Sequence, residues 1–170
     1  MVSRGITLVV NSVAVRRVSS PVGDIVVTAN DEGVTSLEFD EDAHAELRSG
    51  STQAATIVER AVEQLQQYFA GERRDFDLPL APEGTDFQRA VWAALSRIPY
   101  GTTISYKEQA TWVGNPKATR AVGSANGRNP IAIVVPCHRV IGSDGRPTGY
   151  ASGIDRKLWL LEHERAVLGH

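Results

Sequence analysis

The sequence predicts an α+β chain in two parts. An N-terminal antiparallel sheet with one helix is packed on a mainly helical C-terminal domain that contains a helix-turn-helix. Three observations predict it. Residues 12–40 alternate short β-branched runs with turn residues. Thr52 to Ala70 repeats apolar residues at helical spacing. Beyond residue 84 come four further helical segments, the second and third separated by a single glycine turn at Gly114. Pro82-Glu83-Gly84 reads as the linker, so the domains are expected at 1–81 and 82–170.

Val13-Ala14-Val15 is a short apolar run, and Ser20-Pro21-Val22-Gly23 a turn. Ile25 to Ala29 is a strand, Asn30-Asp31-Glu32-Gly33 a second turn, and Val34 to Phe39 another strand. Glu38 to Glu46 is acidic and reads as a solvated loop or helix start, with His44 on the surface. In the helix that follows, Ile57, Val58, Ala61, Val62, Leu65, Tyr68 and Phe69 form one broad apolar face, and Gly71 is a fitting stop. Phe76 to Leu80 is extended. Nothing in this half has a catalytic arrangement.

Thr85-x-x-Gln88 is a capping box that starts the next helix, with Phe87, Val91, Trp92, Leu95 and Ile98 on its buried face. Trp92 shares that face and so belongs to the core rather than to a stacking surface. Ser105-x-x-Glu108 is a second capping box; its helix ends near Val113. Asn115 can cap, and Pro116 can open, a helix running to about Asn126. Ala118, Ala121, Gly123, Ser124 and Ala125 make that helix small-sided, with Arg120 projecting among them. Small side chains suit close approach to another helix or to a nucleic-acid groove. Residues 142–153 are a loop by composition, and Asp155 is expected to cap a last helix to about Val167, with Leu158, Leu161, Ala166 and Trp159 facing inward. Glu162 and Glu164 point to different faces.

Net charge is −2, but it is unevenly spread: −7 over residues 1–84, +5 over 85–140 and zero over 141–170. A phosphate-backbone partner therefore fits the middle third. No run approaches the ~20 apolar residues of a membrane span. Met1 to Val10 lacks the apolar core and cleavage site of a signal peptide. A single cysteine excludes an internal disulfide and a multi-cysteine zinc site, and fits a reducing, cytoplasmic setting.

That cysteine, Cys137, follows the run Ile131-Ala132-Ile133-Val134-Val135-Pro136. The run is bounded by Pro130 and Pro136 and reads as a buried strand that Pro136 terminates. A lone cysteine is most often a small buried hydrophobe. Here His138 and Arg139 follow directly and could stabilise a thiolate, and Gly127-Arg128-Asn129-Pro130 forms a polar hinge upstream.

Pro136-Cys137-His138-Arg139-Val140 resembles the active-site signature of the O6-alkylguanine-DNA alkyltransferases. Arg120-Ala121-Val122-Gly123 through Asn129-Pro130 resembles the same family's DNA helix and hinge. The likeness runs from about Thr85 to Glu164 and more loosely over the first 80 residues. It implies a ribonuclease H-like N-terminal domain. It also implies irreversible transfer of the alkyl group of O6-alkylguanine, with O4-alkylthymine as a second substrate, to Cys137, without cofactor or metal. The partner implied is double-stranded DNA carrying the lesion, and the protein a monomer. Residue by residue, Glu164 orients His138, His138 takes the cysteine proton through a water, Tyr106 donates to the leaving base, and Asn129 ties the hinge. Arg120 enters the base stack, with Lys117, Ala121, Gly123, Ser124 and Arg128 on the DNA face. Tyr150, Ala151, Ser152 and Val140 match the alkyl pocket. Ala151 stands where some members have Ser, and Ser152 where many have Gly, which leaves alkyl-size preference open. Gln109 occupies an often aliphatic position, implying a looser helix or an exposed face. The competing readings are a lesion-binding DNA module without catalysis, and a cysteine hydrolase or thiol redox protein.

Overall fold

A computed structural model of the chain describes residues 12–41 and 44–169. The Met1–Val10 stretch and Asp42 of the acidic segment lie outside them. The chain divides after Pro82 into two compact units.

In the first unit, β1 (Ala14–Val18), β2 (Ile25–Ala29) and β3 (Val34–Phe39) form an antiparallel sheet in the order β1-β2-β3. Val18 faces Ile25 across the first hairpin, and Ile25 faces Phe39 across the second. The second turn is built by Asn30, whose Oδ1 accepts from the amides of Glu32 (2.8 Å) and Gly33 (3.0 Å). α1 (Thr52–Phe69) begins where Ser51 Oγ accepts from the Ala54 amide at 3.0 Å. It lays Ala54, Ile57, Val58, Ala61, Leu65 and Tyr68 on the sheet, while Val62 and Phe69 stay half-exposed. Gln64, a polar member of that face, bonds both backbone groups of Asp77 (2.8 and 2.9 Å) and pins the returning segment. Leu80 then bridges Val34.

In the second unit, α2 (Asp86–Leu95) carries both halves of its capping box: Gln88 N donates to Thr85 Oγ1 (3.1 Å) and Thr85 N to Gln88 Oε1 (2.9 Å). Val91, Trp92 and Leu95 are buried, and Trp92 Nε1 donates to Ala125 O at 2.8 Å, as a core residue. Phe87, expected inside, is 38% exposed. It lies in the first turn, and the bonds that tie α2 to its neighbours fall on Val91 and Trp92, a turn later.

Strand β4 (Ile104–Ser105) runs parallel to β5 (Val140–Ile141). α3 (Tyr106–Trp112) opens with the Ser105/Glu108 capping box and stops at Gly114, whose φ is +83°. α4 spans Thr119–Gly127. It begins three residues later than the Pro116 start expected, because Asn115 to Ala118 close a turn instead (Ala118 N to Asn115 O, 3.0 Å) and no side chain caps the helix. Lys117 therefore sits in the turn.

The final helix, α5 (Ile154–Leu168), departs furthest from the pattern expected. Gly153 (φ +106°), not Asp155, occupies its cap position, and Asp155 lies in the first turn. The buried positions are Lys157, Leu160, Leu161 and Glu164; Leu158 and Ala166 face outward. Two ionisable groups lie on the inner face, so an apolar period points elsewhere. Among the described residues, no helix is long and apolar enough to cross a membrane.

Candidate active site

The apolar run before the cysteine is not a strand. Val135 N returns to Ile131 O (3.0 Å), and Val134 N to Ala132 O (2.8 Å) around Ile133, whose φ is +72°. A β-branched residue in this tight positive-φ γ-turn is strained, at roughly 1–3 kcal/mol. An inverse γ-turn at Pro136 (φ −84°, ψ +66°) follows, with Cys137 N bonded to Val135 O at 2.9 Å. Asn129 holds the whole turn. Its Oδ1 accepts from Ile131 N (3.0 Å) and its Nδ2 donates to Val135 O (2.8 Å). With Ile131, Ile133 and Val135 packed in the core, burial and the Asn129 clamp together override the strand preference of the run.

Cys137 to Arg139 then form one 3₁₀ turn, which sends successive side chains in different directions. His138 and Arg139 both turn to Glu164, on the buried face of α5. His138 Nε2 lies 2.7 Å from Glu164 Oε2. Arg139 donates Nε to Oε1 (2.9 Å) and Nη2 to Oε2 (3.0 Å), and its remaining Nη1 to Ile98 O (2.9 Å). Gly101, at φ +75°, aims its amide at Oε1 (3.0 Å). These four bonds occupy the lone-pair sites of a carboxylate.

Glu164 is 0% exposed. Burial raises its pKa, but the hydrogen bonds from His138 and Arg139 and the Arg139 charge outweigh burial and hold the carboxyl well below its usual range. An ionised carboxylate only accepts, so His138 Nε2 is the N–H donor. Burial depresses the His138 pKa, against the pull of Glu164. The imidazole is therefore neutral, with its lone pair on Nδ1, a buried atom without a hydrogen-bond partner.

Arg139 is fully engaged elsewhere and does not stabilise a thiolate, contrary to the expectation from adjacency. Cys137 keeps part of its surface open. Burial pushes its thiol pKa up; Asn129 and the Lys157 ammonium pull against that. The resting group is a thiol that needs a base.

Lys157 was missed by sequence reasoning. It is fully buried, donates to Val140 O (2.6 Å) and Thr148 O (2.7 Å), and is pushed by burial down to about 8. Its signal was available: it precedes Glu164 by two helical turns on the same face. Tyr106 donates to the same Thr148 O (2.9 Å), and its pKa is raised by burial and by Cys137. Tyr150, half-exposed overall, has a buried hydroxyl without a partner, and burial and Cys137 raise its pKa further. Cys137, Asn129, Tyr106, Tyr150 and Lys157 thus share one electrostatic neighbourhood. Ala151 is exposed, the Ser152 carbonyl accepts from Arg156 (3.1 Å), and the Val140 side chain lies in the core.

On α4 and its flanks, Lys117, Arg120, Ala121, Ser124 and Arg128 are exposed, while Gly123 faces the Tyr106 ring. A Cβ at Gly123 would stand 3.8 Å from that ring.

Profiles of two domains cover the chain: "6-O-methylguanine DNA methyltransferase, ribonuclease-like domain" over residues 14–82 and "6-O-methylguanine DNA methyltransferase, DNA binding domain" over 86–166. The chain belongs to this methyltransferase family. A methylated-DNA–protein-cysteine methyltransferase of Methanosarcina barkeri is 51% identical over 148 residues, 86% of this chain and 94% of the relative. One from Mycolicibacterium paratuberculosis is 51% identical over 88% of this chain and 91% of its own length. Among solved structures, Mycobacterium tuberculosis OGT in complex with DNA superposes with a TM-score of 0.80 at 48% identity, covering 90% of this chain and 93% of that one. The α+β architecture is that of the methyltransferase family, ribonuclease-like domain included.

Proposed function

We propose that the protein repairs DNA by direct reversal, moving the alkyl group of O6-alkylguanine onto Cys137 in a single irreversible event. The observation that carries this is the polarised imidazole of His138, the residue that follows the thiol in the chain. Ionised Glu164 holds the proton of His138 on Nε2 and so leaves Nδ1 as the base. Cys137 loses its proton to Nδ1 through a water, and the sulfur attacks the alkyl carbon. The carbon–O6 bond breaks as the carbon–sulfur bond forms. Tyr106, kept protonated by its raised pKa, gives the departing guanine a proton, and the proton on His138 restores the phenol. The net products are a thioether and guanine. Cellular thiols do not cleave a thioether, so each molecule acts once.

In this reading the C-terminal unit binds DNA and performs transfer, and the N-terminal unit is structural. Tyr150, Ala151 and Ser152 wall the alkyl pocket, and O4-alkylthymine is a second substrate. The free thiol suits the reducing cytoplasm. The protein acts as a monomer in this reading.

Intact mass after incubation with O6-benzylguanine, followed by peptide mapping, tests the chemistry. One stable benzyl adduct on the Cys137 peptide, with guanine released, is expected. Binding of lesion DNA by folded protein without any adduct overturns it in favour of a lesion-binding module. An adduct that turns over points to hydrolase chemistry.

Arg120 is read as the residue that fills the stack when the nucleotide leaves it. Extrusion costs a few kcal/mol, so Arg120→Ala is expected to slow repair of duplex DNA by roughly ten- to a hundredfold and reaction with the free base by less than about twofold. Equal losses on both substrates count against this role.

A further inference from the structure

Gln109 on α3 and Asn126 on α4 are 0% and 6% exposed. Their amides face each other in two antiparallel hydrogen bonds, Gln109 Nε2 to Asn126 Oδ1 (2.8 Å) and Asn126 Nδ2 to Gln109 Oε1 (2.7 Å). The second Gln109 proton reaches Val91 O on α2 at 3.4 Å, which sets the orientation of both amides. The expectation of a loosened helix or an exposed Gln109 is thereby corrected: this is a closed polar lock inside the three-helix cluster.

Its surroundings give it a task. The buried residues beside it on α3 and α4 are Ala110, Val122 and Ala125. Side chains so small interlock weakly, and helices that meet through them can rotate or slide at small cost. A doubly bonded amide pair is directional and tolerates neither movement. Asn126 is also the junction between the two functional parts of the unit. Six residues before it on the same helix stands exposed Arg120. Its own carbonyl accepts from the amide of Asn129 (3.2 Å), whose side chain clamps the turn leading to Cys137.

We propose that the Gln109–Asn126 pair is a positioning device that fixes the seating of α4 on α3 and so keeps the Arg120 face aligned with the Cys137 turn on duplex DNA. The proposal rests on reading α4 as the DNA-facing helix. The Arg120→Ala comparison tests that reading separately: a variant as fast as wild type on duplex DNA would overturn that reading and, with it, the alignment role proposed for the pair.

The test compares rate constants for duplex DNA containing O6-methylguanine with those for free O6-benzylguanine. The double variant Gln109→Leu/Asn126→Leu removes both amides together, so no buried group is stranded and thermal stability should be largely kept. Its duplex rate is expected to fall about tenfold, in the range of measured couplings between contacting residues, with the free-base rate within about twofold of wild type. A stable double variant that repairs duplex DNA at the wild-type rate overturns the proposal, since the pair is then only packing. The swapped pair gives an independent arm. Gln109→Asn alone should lose the duplex rate, and Gln109→Asn/Asn126→Gln, which restores two amides with the same combined length, should regain most of it. A swapped pair no better than the single change, folded or not, also overturns the proposal.

Discussion

Cys137→Ala is expected to form no adduct with either duplex DNA or the free base, while its affinity for lesion-bearing duplex stays within about threefold of wild type. The reason is the separation of duties within the C-terminal unit. The chain has a single cysteine, so no second thiol can substitute. The exposed cations proposed for DNA (Lys117, Arg120 and Arg128) belong to α4 and its flanks and do not depend on the sulfur. Cys137→Ser sharpens the test. A serine hydroxyl is far less acidic than a thiol, and a neutral imidazole does not generate enough alkoxide to attack an unactivated alkyl carbon. Intact mass and a binding titration on the same preparations decide it, and an alkylated Cys137→Ala protein would refute the assignment of the nucleophile.

The second large effect is expected at Glu164→Gln. This change keeps the size of the side chain but turns one acceptor oxygen into a donor. Four donors converge on this group, so at least one N–H meets another N–H, and Arg139 is left buried without its counter-charge. Breaking a buried ion pair from one side costs about 3–5 kcal/mol, which calorimetric melting will read. Where the amide nitrogen faces His138, the ring must offer its Nε2 lone pair and carry its proton on Nδ1, the atom needed as the base. Transfer should then fall roughly a thousandfold or more, by analogy with tautomer loss in serine-protease triads. Glu164→Asp, which keeps the charge, should recover more rate than stability. The linkage with pH has a definite sign. Because the folded protein holds this carboxyl below the ordinary glutamate value of 4.5, its contribution to stability is fully present above that pH and is lost as pH falls below it. Wild type and Glu164→Gln should therefore differ most at neutral pH and converge in acid. Curves that stay parallel down to the acid limit would contradict the ionised assignment.

The parts of the fold that were legible in the sequence are those specified locally. β2, β3 and both capping boxes depend on turn residues and on contacts three residues apart, and they appear where the sequence puts them. Within the candidate site, Cys137 and His138 could be named because a short motif carries them, and Glu164 because the family resemblance reaches it. What was not legible depends on partners distant in sequence. Ile131 to Val135 has the composition of a strand, yet two bonds from one Asn129 side chain bend it into a turn. Arg139 looked like a neighbour of the thiolate and is instead the counter-charge of a residue 25 positions away. Lys157 and Asn126 escaped, and Gln109 was expected to be loose or exposed, for a common reason: a search for apolar periodicity passes over polar side chains, even when they are buried members of a helix face.

Lys157 has one more consequence. Its ammonium joins Val140 O to Thr148 O, and Tyr106 joins Thr148 to the start of α3, so the segment between them is tied off at its base like a stitched hem. The outer part closes on itself, with Gly142 N bonded to Arg146 O and Gly145 N to Gly142 O, both at 2.9 Å. Chain added between Ser143 and Gly145 would lengthen only a loop whose ends are already joined, and doubling such a loop costs about 0.6 kcal/mol. The hem isolates the proposed reaction site from its own fringe. A peptide tag or a fluorophore-bearing insertion at the Ser143–Gly145 tip can ride on the protein without loosening the walls around Cys137.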